Sequence, residues 1–283
     1  MSKLDYCIVC NSIDNRNFYP GIVKCNNCGH IFADLELSDE QYNKLYDHNY
    51  FHGKEYSNYK QDKKVLQKNF TLRLNILKKY ISFVDHSLLE IGSSYGFFLE
   101  VANKYFLKVK GVDITKEGCD HAYNKLKLDV ICQDFLKWNV KSSEYDIICM
   151  WDTIEHLKRP DLFIKKINQV LKKDGLLAIT TGDISSKIAK LRGKKWRLIH
   201  PPTHVHYFSR KVLLNLLTEH DFEVVYVGYP GFYRSLDNVF YNIFVLRLKS
   251  KFLYKFFKKI FIFKTNFYLN TYDIMYVIAK KQN

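Results

Sequence analysis

Between Ser87 and Thr181 short apolar runs alternate with helical stretches, and no other feature restricts the possible architecture as much. SLLEI (87–91), LKVKGVD (107–113), LDVIC (128–132), YDIICM (145–150) and GLLAITT (175–181) read as five strands. Segments near 95–106, 115–127 and 160–173 supply the helices between them. Strand–helix–strand units of this kind join parallel neighbours, so the expected fold is α/β: a Rossmann-like, doubly wound, mostly parallel sheet with helices on both faces. Ligands of such sheets bind at the carboxyl ends of the strands. The loops that follow the strands are therefore where chemistry is expected.

The first of these loops is LLEIGSSYGFFLE (88–100). A glycine loop from strand to helix can cradle a dinucleotide, but that fingerprint is GxGxxG. Here Gly92 and Gly96 are spaced GxxxG, with Glu90 just before them. A carboxylate is a poor neighbour for pyrophosphate and suits a ligand with positive charge, such as an amino group or a sulfonium. The second strand ends at Asp113, placed to accept hydrogen bonds from two ribose hydroxyls. The third leads into Gln133-Asp134-Phe135, a carboxylate beside an aromatic, suited to an adenine amino group and ring face. A single acid at a strand end is often a helix cap; three in succession, the first beside a glycine loop, point to a ligand.

These residues give the chain its resemblance to the class I S-adenosylmethionine-dependent methyltransferases. The matching stretches are EIGSSYG (90–96), GVD (111–113), QDF (133–135), YDIICMWDTIEHLKRP (145–160) and LKKDGLLAITT (171–181), and the likeness covers roughly residues 60–230. It implies that Glu90, Gly92, Ser94 and Gly96 surround the methionine part of S-adenosylmethionine. It implies further that Asp113 with Ile114 holds the ribose, that Asp134 and Phe135 hold the adenine, and that Trp151 belongs to the same cofactor wall. Ser94 departs from the glycine of many members, though a small residue still allows close backbone approach. A final antiparallel hairpin is also implied, and FEVVYVG (222–228) with YDIMYVIAK (272–280) fits it, giving seven strands.

Methyl transfer requires alignment of donor and acceptor and, for a hydroxyl acceptor, a base. Histidine suits that role near neutral pH. Glu155-His156, after the fourth strand, lies where this fold brings acceptor to methyl group; its other reading is a loop-to-helix junction. HPPTHVHYFS (200–209) follows the fifth strand on the same edge of the sheet. It reads as a metal cluster, a base or a stiff polar turn. No acid occurs between Ile184 and Thr218, which argues against a metal. His204 and His206 sit at alternate positions of an extended run and are expected to share a face, with His204 the candidate base and His206 the second choice. Trp196 either walls the acceptor site or pins the loop to the core.

Four of the seven cysteines form two CxxC knuckles, Cys7/Cys10 and Cys25/Cys28, separated by fourteen residues. That spacing places four thiolates at the corners of a tetrahedron around one structural zinc, in a small N-terminal ribbon (1–34). A ribbon so short depends on metal to fold. Disulfides are the alternative, disfavoured by a start without an apolar run of signal-peptide length. A cytoplasmic location is expected. His30 is read as a bystander, and Cys119, Cys132 and Cys149 as core or near-core.

Residues 35–82 read as a tyrosine-rich helical lead-in, with Leu66, Phe70, Leu74, Leu77 and Ile81 on one stripe. The remainder, 83–283, is the main domain. The formal charge is +15, and between Gly231 and Asn283 ten Lys or Arg face two Asp, a local excess of +8. Within an insertion at about 231–271, SKFLYKFFKKIFIFK places Lys251, Lys255, Lys258 and Lys259 on one side of a helix. Phe252, Phe256, Phe257 and Ile260 lie opposite. This basic amphipathic helix reads as a peripheral contact with an anionic membrane or as a cap on the pocket; clustered aromatics make nucleic acid a weaker partner. The ribbon, the IEHL signature and the W…PPxHxxYFS segment together resemble bacterial methyltransferases of sugar and surface-glycan assembly. The implied acceptor is a sugar on a nucleotide or lipid carrier. Ribosomal RNA methyltransferases with a zinc module and a silent scaffold on the same fold are the other readings.

Overall fold

The computed structural model describes residues 6–35, 38–45, 59–260 and 266–282. Residues 46–58 of the tyrosine-rich lead-in lie outside them. Strands β1 (Asn15–Tyr19), β2 (Ile22–Cys25) and β3 (Ile31–Ala33) form an antiparallel N-terminal sheet. Two helices follow, α1 (Asp39–Lys44) and α2 (Lys63–Leu77). The predicted stripe on α2 buries Phe70, Leu74 and Leu77, while Ile81 lies beyond the helix end.

The main domain alternates as predicted: β4 (Ser87–Ile91), α3 (Phe97–Ala102), β5 (Lys108–Asp113), α4 (Lys116–Leu126), β6 (Val130–Cys132), β7 (Tyr145–Trp151), α5 (Pro160–Val170) and β8 (Leu171–Gly182). β8 begins earlier than the apolar run suggests. Leu171 pairs with Tyr145, and a bulge takes up Lys172 to Asp174 before Leu176 joins Ile147. Then come α6 (Lys187–Arg192), β9 (His206–Tyr207), α7 (Arg210–Thr218), β10 (Phe222–Gly228), β11 (Phe232–Ser235), α8 (Leu236–Tyr241), α9 (Lys251–Ile260), β12 (Asn266–Leu269) and β13 (Ile274–Lys281). The seven-stranded sheet runs β10-β13-β8-β7-β4-β5-β6. β4 to β8 are parallel, and β13 pairs antiparallel with both β8 and β10. The order reverses between β4 and β7, the crevice where such sheets bind ligands.

The two faces follow the period of two along each strand. Ile147, Cys149 and Trp151 of β7 with Tyr276 and Ile278 of β13 meet α2 and α3. Ile148 and Met150 with Met275, Val277 and Ala279 meet α5 and α7 on the other face. Cys119 and Cys149 are buried as expected, whereas Cys132, at the end of edge strand β6, is exposed.

The N-terminal sheet does not stop at residue 34. β3 pairs antiparallel with β9, matching Ile31 with Tyr207 and Phe32 with His206. Cys7, Ile8, Val9, Cys25 and Phe32 join the main core beside Phe208 and α7. The ribbon thus borrows a strand from the HPPTHVHYFS stretch and shares its core.

α9 departs from the expected arrangement in one respect. Phe257 packs inward, its ring 4.9 Å from Phe244, but Phe252 and Phe256 face outward, 77% and 49% exposed. The apolar stripe is therefore divided between the body and the surface.

Phe208 is fully buried where ribbon and main domain meet, its ring 5.3 Å from His30 and 5.9 Å from His206. Phe208→Ala is expected to lower the unfolding free energy by about 3–5 kcal/mol in chemical denaturation. A loss below about 1 kcal/mol would show that the two parts do not share a core.

Candidate functional site

The loop after β4 carries the first predicted group. Gly92 has φ +80°, and a Cβ there would lie 2.5 Å from Thr153 Oγ1, so only glycine lets this loop sit against the loop after β7. Ser94 also has a left-handed backbone, φ 47°, a conformation that glycine adopts more readily than serine. Its amide donates to Asp113 Oδ2 at 2.7 Å, and Gly96 starts α3. Asp113 Oδ1 accepts from the Thr115 amide at 2.7 Å and its hydroxyl at 2.5 Å. Burial raises the pKa of the Asp113 carboxyl despite these donors.

Glu90 is buried, and among the described residues its Oε2 has no hydrogen-bond partner; nor do Ser93 Oγ and Trp151 Nε1. Burial, reinforced by Asp113, holds the Glu90 carboxyl well above the usual range. An orphaned buried carboxylate oxygen calls for a donor, here one with positive charge. The ammonium group of S-adenosylmethionine meets that requirement and its sulfonium adds a second positive charge, so the residues present fit this cofactor. Ile114, 45% exposed at the end of β5, offers an apolar surface beside Asp113.

Two expectations are revised. The Phe135 ring is buried against Phe163, centroids 5.6 Å apart, because Asp134 turns the chain by accepting from the Leu136 amide at 2.9 Å. Phe135 therefore belongs to the core and not to an adenine face. The Trp151 ring is likewise enclosed, between Phe98 at 5.3 Å, Tyr276 at 5.5 Å and the Arg73 guanidinium at 5.2 Å.

Sequence reasoning passed over two residues here. The Tyr59 ring stacks on Phe97 at 5.4 Å, and burial, then Glu90, raises the pKa of its hydroxyl. Arg73 of α2 binds Asp152 Oδ2 at 2.7 Å. No local pattern distinguishes Tyr59 among so many tyrosines; Arg73 lies within a helix whose apolar stripe drew the attention.

At the acceptor edge, residues 154–156 form a single 3₁₀ turn. His156 Nδ1 lies 2.9 Å from the Thr203 carbonyl. A carbonyl only accepts, so Nδ1 carries the proton and Nε2 the lone pair. The Val205 amide donates to the Glu155 carbonyl at 2.9 Å, which binds the turn to the histidine stretch. The ring of His204 lies 4.5 Å from His156 and 3.9 Å from His200. Burial draws His156 down to about 4 and holds His204 well below the histidine range, so both are neutral at pH 7. Burial and then Asp152 push Glu155 up to about 8, and its Oε2 accepts from Thr181 Oγ1 at 2.9 Å.

The histidine stretch differs from expectation in three ways. His204 and His206 do not share a surroundings: His206 turns to the ribbon, its Nδ1 3.0 Å from His30 Nε2 and its Nε2 3.4 Å from the Lys158 carbonyl. Both its nitrogens are engaged, so His206 braces the wall and His30 is its partner, not a bystander. The missing carboxylate is supplied from another loop, since ligand atoms of Glu155, His156 and His204 all lie within 4.8 Å of one another. Trp196 pins the loop, donating to Asp273 Oδ2 at 2.8 Å.

The four predicted cysteines converge. Cys7 and Cys28 sulfurs are 3.5 Å apart, as are those of Cys10 and Cys25, and all four lie within 4.8 Å. Tetrahedral thiolates at about 2.3 Å from zinc stand about 3.8 Å apart, so this donor set fits one structural zinc. Gly29, φ +80°, lets the second knuckle close with its amide on the Cys25 carbonyl at 3.0 Å.

His156 and His204 bind protons in the unfolded chain near pH 6.5 but not in the fold until far lower. The unfolded state therefore takes up more protons, and stability falls as pH drops from about 6.5 toward 4, by at most about 3 kcal/mol for His156. The melting temperature is expected to fall between pH 7 and pH 5, less steeply in His156→Gln. A variant as acid-sensitive as the parent would contradict this assignment.

Comparison with known proteins agrees with the fold. A family model described as a methyltransferase domain matches residues 60–227. The ubiquinone biosynthesis O-methyltransferase of Pelagibacter ubique is 30% identical over 134 residues, 44% of this chain and 55% of that protein. The carboxy-S-adenosyl-L-methionine synthase of Nautilia profundicola is 34% identical over 123 residues, 40% of this chain and 51% of that protein. The chain thus spans about half the length of the curated relatives it matches. A SAM-dependent methyltransferase structure from Archaeoglobus fulgidus covers 79% of this chain and 99% of its own with a TM-score of 0.54 and 17% identity. With the strand order, the acids at the strand ends and the family match in agreement, the chain belongs to the methyltransferase-domain family of S-adenosylmethionine-dependent enzymes.

Proposed function

We propose that this protein transfers a methyl group from S-adenosylmethionine to a hydroxyl of a sugar carried on a nucleotide or lipid in surface-glycan assembly. The carrying observation is His156, neutral, with Nδ1–H committed to the Thr203 carbonyl, so that Nε2 is the nitrogen with the lone pair. Bound S-adenosylmethionine supplies a methyl group on a positively charged sulfur. Glu90 and the Gly92 loop hold its methionine end, and Asp113 its ribose. His156 Nε2 accepts the acceptor's hydroxyl proton as its oxygen bonds to the methyl carbon, and His204 packs the ring in place. Oxygen as acceptor atom agrees with the O-methyl transfer named for the ubiquinone relatives. A sugar suits the polar groups of this edge better than an apolar ring does: His200, His204, Arg197, and Tyr229, whose hydroxyl donates to Asp183 at 2.6 Å.

The outer face of α9 supports a second proposed partner, an anionic membrane surface. Exposed Phe252 and Phe256 stand among exposed Lys251, Lys255 and Lys259, apolar groups for insertion rimmed by cations. Among the described residues no helix is long and apolar enough to cross a membrane, so such contact would be peripheral.

Calorimetry is expected to show S-adenosylmethionine binding, abolished in Gly92→Val; absence of binding to the parent protein would sink the methyl-transfer reading. His156→Ala and His204→Ala are expected to lower turnover of nucleotide sugars by about 10²–10⁴-fold for the base itself, with cofactor affinity nearly unchanged. Full rate in both would place the base elsewhere. Phe252→Ser with Lys255→Glu should release the protein from phosphatidylglycerol vesicles in flotation; unchanged flotation would reject α9 as the contact.

A further inference from the structure

The acceptor edge continues into a pair of arginines that the methyl-transfer chemistry does not use. Arg197 and Arg234 both bring their guanidinium carbons over the Phe232 ring, at 5.7 Å and 5.2 Å from its centroid. Arg197 is held in place, its Nη2 2.8 Å from Oδ1 of Asp273, which is fully buried and also bound by Trp196 and the Thr271 hydroxyl. Arg234 is different. Among the described residues no carboxylate forms an ion pair or hydrogen bond with its guanidinium, although the side chain is only partly exposed.

Its strand is fixed at several points. β11 pairs with β12, the Tyr233 amide donates to Asn69 Oδ1 at 2.6 Å, and Ser235 Oγ donates to Asp62 Oδ1 at 3.2 Å. Arg234 cannot simply swing into water with its backbone. Burial, and repulsion from Arg197, make its charge harder to hold, which the carboxylates of Asp273 and Asp62 offset in part from a distance. Two guanidinium groups on one aromatic ring, one of them bound to no carboxylate among the described residues at hydrogen-bond distance, form an arrangement that an anion would complete.

Arg197, of this pair, also lies near the His156–His204 edge. Arg197 is near enough to Asp152 and His204 to bias the protonation of both toward their lower pKa values. An anionic group between Arg197 and Arg234 would therefore hang one end of an acceptor while its hydroxyl reaches His156.

We propose that Arg234 and Arg197, backed by Phe232, form an anion subsite that binds the phosphate or diphosphate ester of the acceptor. The proposal rests on the reading of the His156–His204 edge as the place where acceptor meets methyl group. Phosphate is favoured because two guanidinium forks can share its several oxygens, which a single carboxylate offers less well. The diphosphate of a nucleotide sugar and the phosphate of a lipid-linked sugar present this same chemistry.

The test uses the full chain with zinc bound, titrated with inorganic pyrophosphate by calorimetry at low salt, with S-adenosylmethionine affinity measured in parallel. The parent protein is expected to bind pyrophosphate, more weakly as salt rises from about 50 to 200 mM. Arg234→Gln should weaken binding by roughly tenfold or more, Arg234→Lys by less, and neither should change S-adenosylmethionine affinity. Melting curves identify a variant that fails to fold, in which case Arg234→Lys and the salt dependence carry the test. No pyrophosphate binding by the parent, or equal affinity in a folded Arg234→Gln, overturns the proposal. Parallel titrations with UDP-glucose and with undecaprenyl phosphate in micelles then distinguish the sources, each expected to depend on Arg234 if it is the carrier; dependence in neither overturns the subsite. Loss of S-adenosylmethionine binding with pyrophosphate binding intact would reject the methyl-transfer reading and leave the subsite standing.

Discussion

The pairing of β3 with β9 is the contact on which the acceptor side of this molecule depends. Two residues of the histidine stretch join the ribbon sheet, and the buried hydrogen bond between His30 and His206 fixes the pairing from the side. From β9 the connection runs through Val205 to the Glu155 carbonyl, and through Thr203 to His156. The ribbon itself has little core of its own, and the four converging sulfurs, a donor set that fits zinc, flank the turn between β2 and β3. A cysteine cluster more than a hundred residues away in sequence is thereby connected, through β3 and β9, to the loop whose Thr203 carbonyl orients His156.

Charge is distributed unevenly about the crevice. On the donor side, Glu90 and Asp113 are buried close together, and Arg73 only partly offsets their mutual repulsion. That arrangement is costly in the absence of a cation and favourable in its presence. On the other side Arg197 and Arg234 share one aromatic ring, and Arg197 is paired with the buried Asp273. Between them stand imidazoles held neutral by burial.

Much of this was legible in the chain, and the reason is period. Alternation of apolar runs revealed β4 to β8, and the spacing of the cysteines revealed that four of them would converge. Such signals are local, because each rests on residues within one element or one loop. What escaped notice depends on meetings across the chain. Nothing near His204 announces that Glu155 will approach it, and nothing near His30 announces His206. The Phe135 ring turned inward because Phe163 of α5 receives it, and His206 parted from His204 because only residues 206–207 are extended. In each case a tertiary partner overrode a pattern that was locally sound.

The placement of β13 has a bearing on how the chain is made. It is the last of the sheet's strands in sequence, yet it lies between β10 and β8, paired to both. Until it arrives, β8 presents an open edge and β10 has no neighbour in the sheet. During synthesis the ribosome must produce the whole stretch holding β11, α8, α9 and β12 before that gap can be filled. Until β13 is made, the nascent chain therefore leaves the β8 edge unpaired and open to strands of other chains. A membrane or chaperone that engages α9 in that interval would act on a molecule whose sheet is not yet whole.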